Sequence, residues 1–299
     1  MYYLLVITPI ILIIMSLILY LIVSYNDMYN FLPKMEMFSK YNGSPLSSEH
    51  FKNYMDAIHK DIYLIKCPSY KTNFILDYSK NIVKVPDTYK SLVDSYTKAA
   101  DNLTSEYNIF KKNPWNILVS INNLEMNMPY TLGNFVIIPL KTLKELNTTF
   151  RHGHINNSFL NTLIHEKIHV IQRNNQVIFD KFYITNYKFL DKKLTKPLPE
   201  NLHKMTMTNP DSNNSIWIYN LENKRIIPLL TYYNNSVTEI GYNIENHNDI
   251  TYLRNIKSSL GFKSHTSIYH PNEIFACNVA HHIMDNNLPV NYKEFLVNL

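Results

Sequence analysis

The chain has 299 residues, 45% of them hydrophobic and 18% charged, a balance that supports a buried core and excludes a disordered tail protein. Its two cysteines, Cys67 and Cys277, exclude a disulfide-stabilised scaffold and a zinc site made of several thiolates. The net charge of +5 is mild for this length, and without a basic stripe it predicts no nucleic-acid partner.

The first 25 residues predict a membrane segment. Residues 2–25 contain no charged side chain and are dominated by Leu, Ile and Val. About 20 apolar residues suffice to cross a bilayer core about 30 Å thick, and a soluble helix is rarely apolar on every face. Because no basic residue precedes the run and its apolar core is long, we expect an uncleaved anchor rather than a signal peptide. The predicted protein is single-pass, with residues 2–25 in contact with the lipid bilayer.

The segment after the apolar run sets the expected orientation and a first domain boundary. Lys34 and Lys40 follow the run and no basic residue precedes it, which by the positive-inside rule favours a cytoplasmic C-terminal part. Residues 26–112 are predicted to be a polar stalk and a mainly helical region. Ser47-Ser48-Glu49 can cap one helix there, and Pro86-Asp87 can open another. Their predicted apolar faces are Phe51, Tyr54, Met55 and Ile58, and Leu92, Val93, Tyr96 and Ala99.

Residues 113–299 predict strands, a long helix, a hairpin and a last helix. The strands cover residues 115–121 and 135–138, and the hairpin covers 216–219 and 225–230. Asn156 or Asn157 can cap the long helix, which reaches Arg173. Its predicted buried stripe is Leu160, Leu163, Ile164, Ile168 and Ile171. The last helix runs from Pro271 to about Met284. This order predicts an α+β domain with a small sheet.

The long helix carries the residues with the clearest chemistry, His165-Glu166-Lys167-Ile168-His169. Residues i and i+4 of a helix lie one turn apart on the same face, so both imidazoles can bind one metal ion. Glu166 is then placed to act on a water beside the metal as a general base. The alternative is a helix with two surface histidines and no metal.

These residues resemble the zincin metallopeptidases. The segment Tyr269-His270-Pro271-Asn272-Glu273-Ile274-Phe275-Ala276 is similar to the second helix of the branch called gluzincins, in which a downstream Glu completes the site. The resemblance implies Zn²⁺ held by His165, His169 and Glu273, with Glu166 as the general base. It also implies a zincin-like domain with an active-site helix, and a peptide or protein as substrate.

The assignment of Glu273 has alternatives. Close to the start of its helix, a Glu commonly caps the helix or interacts with its dipole, without any metal. Other acidic or imidazole side chains could supply the third ligand: Glu239, His270, His281, His282 and, less favourably, Asp285. Many relatives carry an acidic residue one turn after the ligand Glu; here that position is Cys277, which either packs inertly or touches the metal.

Three further features of the site have more than one interpretation in the sequence: the strand that borders the cleft, the group that stabilises an oxyanion, and a second metal site. In zincins a strand bordering the cleft pairs with the substrate, and residues 134–138 could be that strand or an ordinary core strand. Tyr242, Tyr269 and His265 are candidates for stabilising an oxyanion. His152-Gly153-His154 is a weak candidate for a second metal site.

We therefore predict a membrane-anchored zinc metalloendopeptidase. The alternative is a non-enzymatic membrane protein with a structural or relic zinc site, and another rival is a metal hydrolase of non-peptide amides. The anchor and the excess of 25 Lys over 4 Arg resemble proteins of large DNA viruses, which implies a host or virion membrane.

Overall fold

The computed structural model describes residues 49–150, 154–187, 189–190, 198–212, 216–221, 224–233, 236–246, 249–257, 262 and 266–299. Within them the helices are α1 (Glu49–Ala57), α2 (Tyr63–Lys66), α3 (Phe74–Lys80), α4 (Asp87–Leu103), α5 (Asn108–Lys112), α6 (Leu140–Phe150), α7 (Asn157–Asn174), α8 (Gln176–Tyr187), α9 (Glu200–Met205), α10 (Pro271–Met284) and α11 (Val290–Val297). The strands are β1 (Ile82–Lys84), β2 (Ile117–Ser120), β3 (Tyr130–Leu132), β4 (Phe135–Pro139), β5 (Phe189–Leu190), β6 (Ile218–Leu221), β7 (Lys224–Tyr233), β8 (Ser236–Asn243) and β9 (Ile250–Tyr252).

Two sheets organise the described chain. The first has the strand order β1-β2-β4-β3; β2 and β4 are parallel, and both edge strands are antiparallel to their neighbours. The second has the order β5-β6-β7-β8-β9 and is antiparallel throughout. Residues 49–299 form one compact unit, so both sheets and the helices between them belong to a mixed α+β fold.

Helix α7 lies at the centre of the core. The side chain of Asn156 accepts a hydrogen bond from the backbone N–H of Phe159 at 3.0 Å and so caps the helix. Its apolar stripe is buried, with Leu163, Ile164 and Ile171 at most 1% exposed, and the helix contacts α4, β3, β4 and α10. Burial on this scale fixes the helix in position and with it the polar side chains between the apolar ones.

Helix α10 packs directly against α7. Pro271 occupies its first turn, where the missing N–H costs nothing, and His270 caps it by accepting the N–H of Asn272 at 3.2 Å. On its far side the ring of Phe275 packs edge-on to Phe179 of α8 at 5.0 Å. The helix is therefore fixed by apolar contacts on one side and presents its first turn to α7.

The main predicted elements are confirmed. The helices predicted near Ser47–Glu49 and Pro86–Asp87, the long helix and the helix over Pro271–Met284 are present, as are the strands within 115–121 and 135–138. The hairpin predicted over 216–219 and 225–230 is present with strands Ile218–Leu221 and Lys224–Tyr233. The predicted apolar faces are buried, except that Ala100 replaces Ala99 as the buried alanine of α4. Helix α8, strands β8 and β9 and helix α11 were not predicted.

The predicted fold class needs a correction. It placed one transmembrane helix ahead of a domain with a small sheet, but none of the helices in the described ranges is long and apolar enough to cross a membrane. The longest of them, α7, has 18 residues and includes Glu166, Lys167 and Arg173, so its apolar side chains form a stripe rather than a continuous surface. Residues 2–25, where the span was predicted, lie outside the described residues. The described domain also has two sheets instead of one.

Candidate metal centre

Two imidazoles from α7 and one carboxylate from α10 converge. His165 Nε2 and His169 Nε2 are 2.9 Å apart. Glu273 Oε2 is 3.3 Å from His165 Nε2, and Glu273 Oε1 is 3.5 Å from His169 Nε2. Ligands that bind zinc tetrahedrally at 2.0–2.1 Å lie about 3.3 Å from one another. The two nitrogens and the carboxylate are therefore spaced much as in a tetrahedral zinc site, with a different carboxylate oxygen nearest to each ring.

The donor set also has the chemistry of a cation site. His169 Nδ1 lies 2.8 Å from Gln172 Oε1, while Gln172 Nε2 donates to the carbonyl of Asn272 at 3.0 Å. Because that amide oxygen only accepts, His169 carries a proton on Nδ1, and its Nε2 is the nitrogen that faces His165 and Glu273. Two imidazole nitrogens and a carboxylate are ligands that zinc binds in proteins, so the residues fit a bound zinc ion.

Gln172 is a site residue that the sequence analysis missed. It lies on α7 three residues after His169, and it links that imidazole to the first turn of α10. Outer-shell partners of this kind fix the tautomer and the ring orientation of a ligand histidine. The predicted position for such a partner was one turn after Glu273, where Cys277 stands. A polar residue at i+3 from the second histidine was the signal that could have revealed it.

Glu273 is itself held by two donors. Asn209 Nδ2 donates to Glu273 Oε1 at 2.9 Å, and the Tyr269 hydroxyl donates to the same oxygen at 3.1 Å. Asn209 also hydrogen-bonds the Tyr269 hydroxyl. Of the three candidates for oxyanion stabilisation, Tyr269 thus lies beside the cluster. Tyr242 belongs to the core of the second sheet, and His265 lies outside the described residues.

Glu166 lies beside the histidines and is only 5% exposed. Among the described residues no hydrogen-bond partner reaches its Oε2. Burial, followed by the negative charge of Asp211, raises the pKa of Glu166 to about 8, although the charges of His165 and His169 act in the opposite direction. A buried carboxylate next to two imidazoles is suited to accepting and releasing a proton.

The electrostatics of the three converging side chains favour positive charge. Burial lowers the pKa of His165, but its hydrogen bonds to Cys277 and Glu273 outweigh burial and raise the pKa well above 6.5. Burial likewise lowers the pKa of His169, and the charges of Glu273 and Asp211 reverse this. Burial raises the pKa of Glu273, yet the two histidines bring it well below 4.5. A divalent cation would meet the same demand.

A short turn over Pro210–Ser212 supports the cluster from the side of the first sheet. Asp211 accepts hydrogen bonds from the backbone N–H of Thr131, at 2.8 Å, and from its hydroxyl, at 2.5 Å. Arg173, from the end of α7, donates to the Thr131 hydroxyl at 2.8 Å and to the carbonyl of Pro210 at 3.3 Å. The turn that begins just after Asn209 is therefore fixed to both β3 and α7.

The competing third ligands have other partners. Glu239 pairs with Lys257 at 3.2 Å, and His270 caps its own helix. His281 lies 3.3 Å from Asp285, and His282 Nδ1 lies 2.7 Å from Asn287. Of the six candidates, Glu273 is the one placed against both histidines, although its role as a zinc ligand stays a prediction.

His152, a weak candidate for a second metal site together with His154, lies outside the described residues, so that site stays a prediction.

The cluster opens into a cavity of about 590 Å³. His165, Glu166, Glu273 and Cys277 line it. The apolar part of the lining comes from two parts of the chain: Met126, Met128 and Pro129, and Met207, Leu230 and Val237. The volume is sufficient for a peptide segment or a small ligand.

The strand proposed for substrate pairing is a core strand. All five residues of β4 are buried, and β4 has hydrogen-bonded neighbours on both sides, β2 and β3, so it has no free edge for a peptide. The edge strand next to β4 is β3, and its N–H at Thr131 already donates to Asp211. Of the two open alternatives, the structure has the second.

Comparison of the chain with protein-family models, with curated proteins and with solved structures gives no match in any of the three. The likeness to zincins therefore depends on the two motifs and on the arrangement of their side chains.

Proposed function

We propose that this protein is a zinc-dependent peptidase. The observation that carries the proposal is the convergence of His165 Nε2, His169 Nε2 and one carboxylate of Glu273 within 3.5 Å of one another. Structural zinc sites usually have four protein ligands, whereas catalytic sites have three and keep one position open. The His165, His169 and Glu273 set follows the catalytic pattern and faces a cavity.

Each polar side chain of the cluster has a role in this proposal. His165, His169 and Glu273 would hold the ion, Gln172 would fix the orientation of His169, and bound zinc supplies Lewis-acid polarisation of a carbonyl and a more acidic water. Glu166 takes one proton from the attacking water and delivers it to the leaving nitrogen. The balance is simple: one water adds across one amide bond and gives a carboxylic acid and an amine.

Peptides are the favoured substrates because of the cavity. Its lining combines apolar side chains, which can accommodate the side chains of a peptide, with the polar groups of the cluster. A non-peptide amide remains the rival substrate, and a panel of unstructured peptides together with small amides separates the two.

The test replaces Glu166 with Gln in the full chain. Glu166→Gln keeps the shape and removes the base, so we expect one zinc ion per chain and a loss of peptide hydrolysis of about 10²–10⁴-fold. The matched control is Glu145→Gln, because Glu145 is exposed on α6 and paired loosely with Lys141 at 3.9 Å. Zinc content is measured by elemental analysis and hydrolysis by mass spectrometry of the peptide panel.

Two outcomes would overturn the proposal. If Glu166→Gln cleaved peptides as fast as the wild type, Glu166 would not be the base. If the zinc-loaded wild type cleaved nothing in the panel, the site would be structural, as in the alternative raised by the sequence.

A further inference from the structure

Cys277 lies at the same cluster, one turn after Glu273 on α10. A metal-binding atom of His165, one of Glu273 and the Cys277 sulfur all lie within 4.8 Å of one another. Cys277 is partly exposed and lines the cavity. In a tetrahedral site, a sulfur at 2.3 Å from zinc lies about 3.6 Å from a nitrogen ligand. The limit of 4.8 Å is within about 1 Å of that spacing, so the Cys277 sulfur lies close enough to be considered as a ligand.

A separate observation points to a cation at this place. Glu166 lines the same cavity, is 5% exposed, and has an Oε2 that no donor reaches among the described residues. A buried polar atom without a hydrogen-bond partner is costly unless a further group, such as a bound ion, compensates it. Cys277 is thus not an isolated thiol, since it lies beside His165 and Glu273 in a cavity that also contains an unpartnered buried carboxyl group.

We propose that Cys277 is a fourth, exchangeable ligand of the proposed zinc ion and holds the site closed. The inference rests on the metal site of the proposed function and adds its regulation. With two imidazoles, one carboxylate and one thiolate, the coordination becomes the four-ligand type typical of structural sites. Release of the thiolate restores the position that hydrolysis requires.

Cobalt reports directly on this ligand. Co²⁺ takes the tetrahedral positions of zinc, and a thiolate bound to it gives an intense near-ultraviolet charge-transfer band. We expect that band in the cobalt-loaded wild type and its loss in Cys277→Ala, which still binds one Co²⁺ per chain. The matched control is Cys67→Ala, because Cys67 is fully buried and its sulfur lies 3.3 Å from Ser69. This control should keep the band.

Alkylation gives a second readout that needs no variant at the site. Iodoacetamide attaches to a free thiol with loss of iodide, so it should label Cys277 in the chelator-treated protein and label it much more slowly after zinc is added. Removal of the Cys277 thiol should also change the activity: Cys277→Ala should hydrolyse peptides severalfold faster than the wild type.

The outcomes separate this inference from the proposed function. A wild type that binds one Co²⁺ without the charge-transfer band, or zinc that leaves the labelling rate unchanged, overturns the role of Cys277 while the three-ligand site stands. A protein that binds neither metal overturns both. A slower rate of hydrolysis in Cys277→Ala would also contradict the inference.

Discussion

Two buried polar clusters of this protein differ in the kind of group that supplies their positive charge. In the first, Glu125 accepts hydrogen bonds from Lys66 Nζ at 2.7 Å, from Tyr78 at 3.0 Å and from Tyr54. In the second, the side chains of His165, His169 and Glu273 converge on one another. The cation of the first cluster is a lysine, whereas the positive charge of the second comes from two histidines, whose protons a metal ion can replace.

The self-sufficient cluster stabilises a strained loop. Asn122, Asn123, Glu125, Met126 and Asn127 all have φ between 48° and 59°, the left-handed region that costs a non-glycine residue of order 1–3 kcal/mol. The buried carboxylate in the middle of this loop compensates by its bonds to Lys66 and the tyrosines. Its function is therefore to shape one wall of the cavity. The second cluster consists of side chains that are common zinc ligands, which is why we assign it a metal.

The largest expected effect comes from breaking the first cluster. Glu125→Gln leaves Lys66 buried at 2% exposure without its counter-charge, so the free energy of unfolding should fall by about 3–5 kcal/mol. Zinc affinity should be unchanged in the fraction that folds. Urea unfolding and zinc titration check the two parts, with Glu145→Gln as the surface control. A loss of zinc affinity without a loss of stability would reverse the assigned roles of the clusters.

The next effect tests the outer support of the second cluster. Gln172→Leu removes the acceptor for His169 Nδ1 and the bond to Asn272, so zinc affinity should fall about 10–100-fold. Gln172→Glu retains the acceptor and should lose less. Competition with a chelator measures both affinities. Equal affinity in all three proteins would show that Gln172 does not orient His169.

The smallest expected effect concerns His50, a buried histidine outside the candidate metal centre. Burial, followed by the charge of Arg173, lowers the pKa of His50 to about 3, and its Nδ1 accepts the N–H of Gly133 at 3.2 Å. A histidine whose pKa is lowered by folding contributes stability that is full above its unfolded pKa of about 6.5 and is lost as pH falls from there towards the folded value.

The wild type should accordingly lose about 1–2 kcal/mol more unfolding free energy than His50→Asn when pH falls from 6.5 to 5. Asn retains an acceptor for the Gly133 N–H but does not titrate. Urea unfolding at both pH values gives the difference, and the metal-site histidines cancel because both proteins share them. Parallel pH profiles would mean that His50 is not held neutral.

Helix positions could be predicted from the sequence because capping and apolar spacing are local. Asn156, the 163–171 stripe and Pro271 each specify a helix without reference to the rest of the chain. The spacing of His165 and His169 also follows from one helix. The sheet order could not be predicted, since pairing of β2 with β4, and with it the burial of β4, depends on contacts distant in sequence.

The residues that support the site could not be predicted either, because they also reach it through contacts distant in sequence. Asn209 reaches Glu273 across 64 residues, and Gln172 reaches the backbone of Asn272 across 100. No periodicity links such positions. The resemblance suggested an acidic partner on α10, whereas this chain uses an amide on α7 and places a cysteine where that acid was expected.

Zinc binding to the full chain tests the central claim most directly. Titration calorimetry should show one ion per wild-type chain and much weaker binding in His165→Ala and in Glu273→Ala. The variant Glu239→Ala, which removes a rival ligand paired with Lys257, should bind zinc like the wild type. Zinc retained by Glu273→Ala and lost by Glu239→Ala would contradict the account, as would a wild type that binds none.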